Sequence, residues 1–139
     1  MDSTLDRAPA RRIDAGLILL LVAAVTLLVG CDLTYPEAIV AANSSAGGEA
    51  ARGRGFIQQF GCGSCHTVPG VTGARGLVGP PLLWYARWSF IAGELPNTPD
   101  NLVLWLRSPQ SIHPRTAMPA VGLSEQQARD VAAYLYTLR

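Results

Sequence analysis

The chain has no lysine: its 11 basic residues are all arginine, against 10 acids, for a formal net charge of +1. That near balance argues against a nucleic-acid partner, since phosphate binding calls for a basic excess. Potential metal ligands are scarce too, with three cysteines, two histidines and two methionines, one of them the initiator. Apolar runs are short as well. The longest uncharged and mostly apolar run, Ala15 to Gly30, has 16 residues, fewer than the roughly 20 of a membrane span. At 139 residues the chain has room for one small domain and a targeting segment.

What is there centres on Cys62-Gly63-Ser64-Cys65-His66. Cys-x-x-Cys-His is the attachment signal for c-type haem. Two thiols on one turn can each reach a vinyl group of the porphyrin, and the adjacent imidazole falls over the iron as proximal ligand. The competing readings are a redox dithiol, half a zinc site or a disulfide. Zinc needs four ligands, and outside the pentapeptide only Cys31 and His113 remain, at irregular distances. A thioredoxin-like site needs a βαβ pattern around the motif, and none is visible.

Residues 1–31 look like an export signal. Arg7, Arg11 and Arg12 give a positive start, the apolar run follows, and Leu28-Val29-Gly30-Cys31 closes it. That ending resembles the lipobox of bacterial lipoproteins, in which the cysteine is lipidated and becomes the mature N-terminus. The alternative is an uncleaved signal anchor with an incidental cysteine. Either leaves the chain membrane-anchored on the outer, periplasmic face of the bacterial cytoplasmic membrane. Residues 32–48 read as a flexible linker, broken by Pro36, Asn43-Ser44-Ser45 and Gly47-Gly48. Such a linker spans roughly 20–25 Å. The competing reading is that part of it, around Ile39-Val40-Ala41-Ala42, packs on the domain.

Residues 49–139 read as a helical domain. Gly53, Phe56, Ile57 and Phe60 share one face of a helix over 49–61 that runs into the haem motif. Gly53 costs helix stability, which suggests close approach of another helix. Residues 67–97 are punctuated by glycine and proline, with a short helix expected around Leu82–Ile91; a loop wrapped around a large prosthetic group explains so irregular a stretch. Thr98, Pro99 and Asp100 start a helix over 98–108 that Pro109 stops. Ser124 and Gln127 form a capping box for a helix over 124–138, with Ala128, Val131, Ala132, Leu135 and Leu138 as its apolar stripe.

Met118 lies in the Pro-flanked loop Thr116-Ala117-Met118-Pro119. Met with His ligation fills the coordination sphere and raises the haem potential, which favours electron transfer over binding of oxygen or peroxide. Against this stands a role for Met118 as core filler. His113, five residues earlier, is the rival ligand and is otherwise expected on the surface.

These features together resemble a class I (mitochondrial-type) monohaem cytochrome c over residues 49–139. The resemblance rests on the helix leading into the pentapeptide, Gly79-Pro80-Pro81-Leu82, the Leu-Trp-Leu-x-x-Pro run at 104–109, the Thr-x-Met-Pro loop and Ala-Ala-Tyr-Leu at 132–135. It implies an all-α, compact fold without a sheet, whose N- and C-terminal helices cross around one covalently attached haem c. It also implies that Pro80 accepts a hydrogen bond from His66, that Leu82 and Leu106 pack on the haem, and that Trp105 lies near the methionine ligand. Thr116 and Arg87 would reach the propionates, with Arg75 competing for the role of Arg87. Where the family's methionine loop often reads Pro-Gly-Thr, this chain has Pro114-Arg115-Thr116.

Segment 76–138 further resembles cytochromes associated with terminal oxidases. The expected function is a membrane-tethered electron carrier, not an enzyme in its own right. It would pass single electrons between a quinol-oxidising complex or another cytochrome and a terminal oxidase in a respiratory chain. The alternatives are a permanent cytochrome subunit of a respiratory complex, or a haem protein whose open sixth site binds gas or peroxide. Residues 49–139 carry a net charge of +3, and two ionised propionates would lower it further. Weak electrostatic steering of partners is therefore expected, with the tether supplying effective concentration.

Overall fold

The structure is a computed structural model and describes residues 15, 16, 18–20, 22 and 34–139. Arg7, Arg11, Arg12 and the lipidation candidate Cys31 lie outside the described residues. The six described residues before Thr34 are helical and belong to a unit separate from Tyr35–Arg139. Among the described residues no helix is long and apolar enough to cross a membrane.

The second unit is mainly helical. Its elements are α1 (Thr34–Ala46), α2 (Ala50–Gln59), a 3-10 turn (Cys62–Ser64), a second 3-10 turn (Tyr85–Arg87), β1 (Phe90–Ile91), β2 (Leu95–Pro96), α3 (Pro99–Arg107), α4 (Pro109–Ile112) and α5 (Glu125–Thr137). β1 and β2 pair antiparallel, Phe90 opposite Pro96 and Ile91 opposite Leu95. This small ladder departs from the expectation of no sheet. The short helix expected around Leu82–Ile91 is replaced by one 3-10 turn and β1. Backbone torsion explains the break: Trp84, at the turn's entry, and Ala92, just past β1, both have positive φ, which a continuing right-handed helix does not allow.

The expected flexible linker is also corrected. Residues 34–46 form α1, and Ala42 and Ala46 are buried. The i, i+3, i+4, i+7 spacing of Ile39, Ala42, Asn43 and Ala46 gives α1 one inward face. The polar residues that suggested a linker serve this arrangement. Asn43 Oδ1 accepts a 2.8 Å hydrogen bond from the Ala50 N–H, satisfying a donor at the start of α2.

The main packing in the domain is α2 against α5, with α3 also on α5. Gly53 and Ile57 of α2 face Val131 and its neighbours in one core with Leu102, Leu106 and Leu135. At Gly53 the helices meet backbone to backbone: a Cβ there would fall well inside contact distance of the Asp130 carbonyl and 2.9 Å from the Val131 nitrogen. Beside that contact sits Asp130, only 1% exposed. Its Oδ1 accepts from the Glu49 N–H at 2.7 Å, and Arg52 donates to both its oxygens at 2.9 and 3.0 Å. One carboxylate thus caps the start of α2 and holds it to α5. α3 and α5 start with side-chain caps. Thr98 accepts from the Asn101 N–H, and Ser124 and Gln127 make a reciprocal capping box.

Candidate functional site

α2 ends at Gln59 with Phe60 as its cap, and Gly61 in the left-handed region turns the chain into the Cys62–Ser64 turn. That turn sets Cys62 and Cys65 on one stretch of wall with both thiols free. Burial pushes the Cys62 thiol above its ordinary range, with the neighbouring Cys65 adding to the effect. A thiol kept protonated is a poor fit to a redox dithiol, which works through a thiolate of lowered pKa. Among the described residues no three His, Cys, Asp or Glu side chains gather into a metal-ion cage, so none of them completes the four-ligand set of a zinc site around the motif.

His66 follows the turn. Its Nδ1–H donates to the Pro80 carbonyl at 2.7 Å. This fixes the tautomer and leaves the Nε2 lone pair free for a metal. The loop that brings Pro80 there is pinned to the motif: the Gly76, Gly79 and Leu82 N–H groups donate to the Gly63, Cys65 and Thr67 carbonyls at 3.0, 2.8 and 2.8 Å. Gly79 is needed for a steric reason. A Cβ on it would lie 2.7 Å from Nδ1 and 2.9 Å from Nε2 of His66, so any side chain there would displace the imidazole.

These residues open onto a cavity of about 570 Å³, within the range of cofactor sites. Cys62, Cys65, His66, Pro80, Leu82, Trp105, Leu106, Thr116 and Met118 all line it. Met118 is fixed through its backbone: its N–H donates to Thr116 Oγ1 at 3.2 Å and its carbonyl accepts from Gln110 at 2.7 Å. α4 supplies Gln110, and Pro109 starts that helix.

Arg87 does not line the cavity. It sits on the second 3-10 turn beside a separate surface depression with Ala42, Ser45 and Tyr136. The 3-10 turn carries Arg87 at its last position, on that other surface. Arg75 does not line the cavity either. The charged wall residue is Arg115, in the very place where the loop departs from Pro-Gly-Thr. His113, expected on the surface, also lines the cavity. It is partly exposed, and its Nδ1 is 3.1 Å from Glu94 Oε1.

Sequence reasoning also missed Tyr85, Trp88 and Gln110. Tyr85 is buried in the wall, its ring 4.9 Å from that of Trp88 and 6.1 Å from that of Tyr136. Burial, with a smaller contribution from Tyr136, holds the Tyr85 phenol well above its ordinary range, and burial pushes Tyr136 up to about 12. Both therefore stay protonated, and Tyr136 donates to Asn97 at 2.9 Å. The signal available in the sequence was the aromatic i, i+3 spacing of Tyr85 and Trp88.

The donor set fits a covalently held haem. Paired thiols share a turn with an imidazole whose outer nitrogen is already bonded, and the cavity beside them is walled mainly by apolar side chains. Comparison with known proteins agrees. A family model described as Cytochrome c matches residues 50–139. The chain is 35% identical over 89 residues to a protein named cytochrome c oxidase subunit 2 from Alkalihalophilus pseudofirmus, a match covering 63% of this chain and 25% of that protein. The chain thus spans about a quarter of that relative's length. No solved structure matches the chain significantly. The attachment motif, the helical frame around it and the family match together place this chain in the cytochrome c family, electron-transfer proteins that carry covalently attached haem c.

Proposed function

We propose that this protein is a membrane-tethered electron carrier of a respiratory chain, in which His66 and Met118 would hold the haem iron. One observation carries the reading: a single cavity brings together His66, fixed by Pro80, and Met118, fixed at both its backbone N–H and its carbonyl. When bound, the haem supplies reversible one-electron chemistry. The chain's part is to hold the group still and keep water away. Cys62 and Cys65 supply the attachment thiols. Pro80 orients the imidazole, and Gln110 and Thr116 hold the thioether loop in place. Leu82, Leu102, Leu106 and Leu135 supply a dry wall, which lowers the local dielectric and favours the less charged redox state.

The similarity to an oxidase subunit supports an electron path from a quinol-oxidising complex or another cytochrome to a terminal oxidase. The same similarity favours a second arrangement, in which the chain is a fixed subunit of such a complex. No bond of a substrate is made or broken in either. The lipobox-like ending at Cys31 supports anchoring on the periplasmic face. Cys31→Ser should block lipidation; unchanged mobility and membrane attachment of the mature protein would favour an uncleaved anchor.

The deciding experiment is an absorption spectrum of the haem-loaded chain, oxidised and reduced. The expected result is a low-spin spectrum with the weak long-wavelength band of methionine–iron bonding, lost in Met118→Ala. A reduced form that binds carbon monoxide readily would overturn the reading in favour of an open sixth site.

A further inference from the structure

Eight described residues both line the cavity and lie exposed at the surface, and these define its mouth. They include Gly61, Ser64, Val78, Ala117 and Pro119, and Arg115 alone among the eight is charged. Next to Val78 stands Leu77. The two are 79% and 88% exposed, unusual values for adjacent large aliphatic side chains. They are not on a loose loop. The Gly76 and Gly79 N–H groups on either side of them bond to the Gly63 and Cys65 carbonyls, so the pair is held up beside the attachment turn.

Exposed single apolar residues need no explanation, but an apolar rim around a cofactor cavity marks a contact surface. We infer that this rim, centred on Leu77 and Val78, docks a redox partner protein whose facing surface is itself apolar and uncharged. The inference rests on the electron-transfer reading and names the kind of partner that reading requires. The mouth is where the cavity opens to the surface, so a molecule seated there is brought nearest to what the cavity holds. A strongly charged partner face would be desolvated on this rim with little to pair against; Arg115 is its one counter-charge. Apart from Arg115 the rim is itself uncharged and mostly apolar, so a second copy of the chain is a usable probe partner.

The test is electron self-exchange between oxidised and reduced copies of the full haem-loaded chain in neutral detergent, read from NMR line broadening. Leu77→Asp places like charges face to face without disturbing packing, because Leu77 is almost fully exposed and does not line the cavity. It should slow exchange about tenfold or more with the reduction potential and spectrum unchanged. Leu77→Ser, which removes apolar surface without adding charge, should slow it about threefold. Leu104→Asp, at an exposed aliphatic residue that does not line the cavity, should leave the rate within about twofold. Raising salt from about 10 to about 150 mM should change the wild-type rate by less than about threefold. Wild-type exchange in Leu77→Asp would overturn the proposal, as would equal slowing by Leu104→Asp or a steep salt dependence. A failure of the electron-transfer reading would show separately, as carbon monoxide binding in the wild-type spectrum.

Discussion

Two glycines, two positions apart in α2, should respond to the same substitution with opposite sign. In an exposed helix interior, Gly→Ala gains about 0.8–1.0 kcal/mol from backbone entropy alone. Gly55 is exposed, and a Cβ there meets nothing within 4 Å, so Gly55→Ala should gain up to about 1 kcal/mol. Gly53 is buried, and its added Cβ meets the carbonyl of Asp130 and the nitrogen of Val131. Those are backbone atoms of α5. No side chain can rotate aside, so the helices must separate, and the cost lies at the upper end of the usual overpacking range, about 3 kcal/mol. Subtracting the propensity gain leaves a net loss of about 2 kcal/mol for Gly53→Ala. The two variants should then melt on the order of 10–20 °C apart. The assay is urea and thermal unfolding of the haem-loaded protein, followed by tryptophan fluorescence. If Gly53→Ala proved as stable as wild type, the backbone-to-backbone contact of α2 and α5 would be wrong, and the core built around it would need redrawing.

Three further substitutions probe the site and its frame. Burial alone would raise the Asp130 pKa, but hydrogen bonds from Arg52, the Glu49 N–H and Gln126 outweigh it, and the net direction is down. A depressed native pKa contributes stability that is present above the unfolded value of about 3.9 and lost as pH falls through the native one. Wild type should therefore be clearly more stable than Asp130→Asn at pH 7, with the gap closing in acid below about pH 4; a gap independent of pH would show the charge to be irrelevant. Gly79→Ala should displace His66 and lower the yield of low-spin covalent haem severalfold, measured by haem stain against total protein; a normal yield and spectrum would contradict the crowding at that imidazole. Gln110→Ala removes one backbone restraint on Met118, worth about 0.5–1.5 kcal/mol. It should weaken the methionine–iron band on warming before global unfolding begins, and coincident loss of the two signals would deny Gln110 that role.

The helices that carry their own punctuation were legible from sequence. α3 and α5 begin at Thr98 and Ser124, whose caps are formed as the local sequence dictates. Gly53 announced a helix contact because an unneeded glycine in a helix is costly. Legibility failed where structure depends on distant partners. Asn43-Ser44-Ser45 and Gly47-Gly48 read as a linker because composition says nothing about which face each residue takes. In the structure Asn43 turns inward to the Ala50 N–H, and Arg129 and Gln126 of α5 reach back to the Ala46 and Gly47 carbonyls. Arg87 was expected at the propionates from the family resemblance alone, and which surface the 3-10 turn gives it depends on the path of an irregular segment. Arg115 was noticed only as a missing glycine. That it adds a cation to the cavity wall depends on the loop's path, which no local pattern encodes.

The helix in place of a linker also bears on how the protein meets its partners. A flexible segment over 32–48 would let the domain sweep roughly 20–25 Å and would make the tether a source of effective concentration over that radius. With α1 formed and its Ala42 and Ala46 buried, 13 of those residues are ordered and contribute no slack. On the proposed anchoring, a domain with less slack in its tether would meet mainly partners already beside it. For such a protein long-range steering has little value, which matches a chain of nearly balanced charge and a cavity mouth with one charged residue, Arg115. What remains useful is short-range fit, and Leu77 and Val78, pinned beside the attachment turn, supply that. On the proposed anchoring, the ordered α1 and the apolar rim would both suit a carrier that works in a standing arrangement with its partner more than one that finds partners by diffusion.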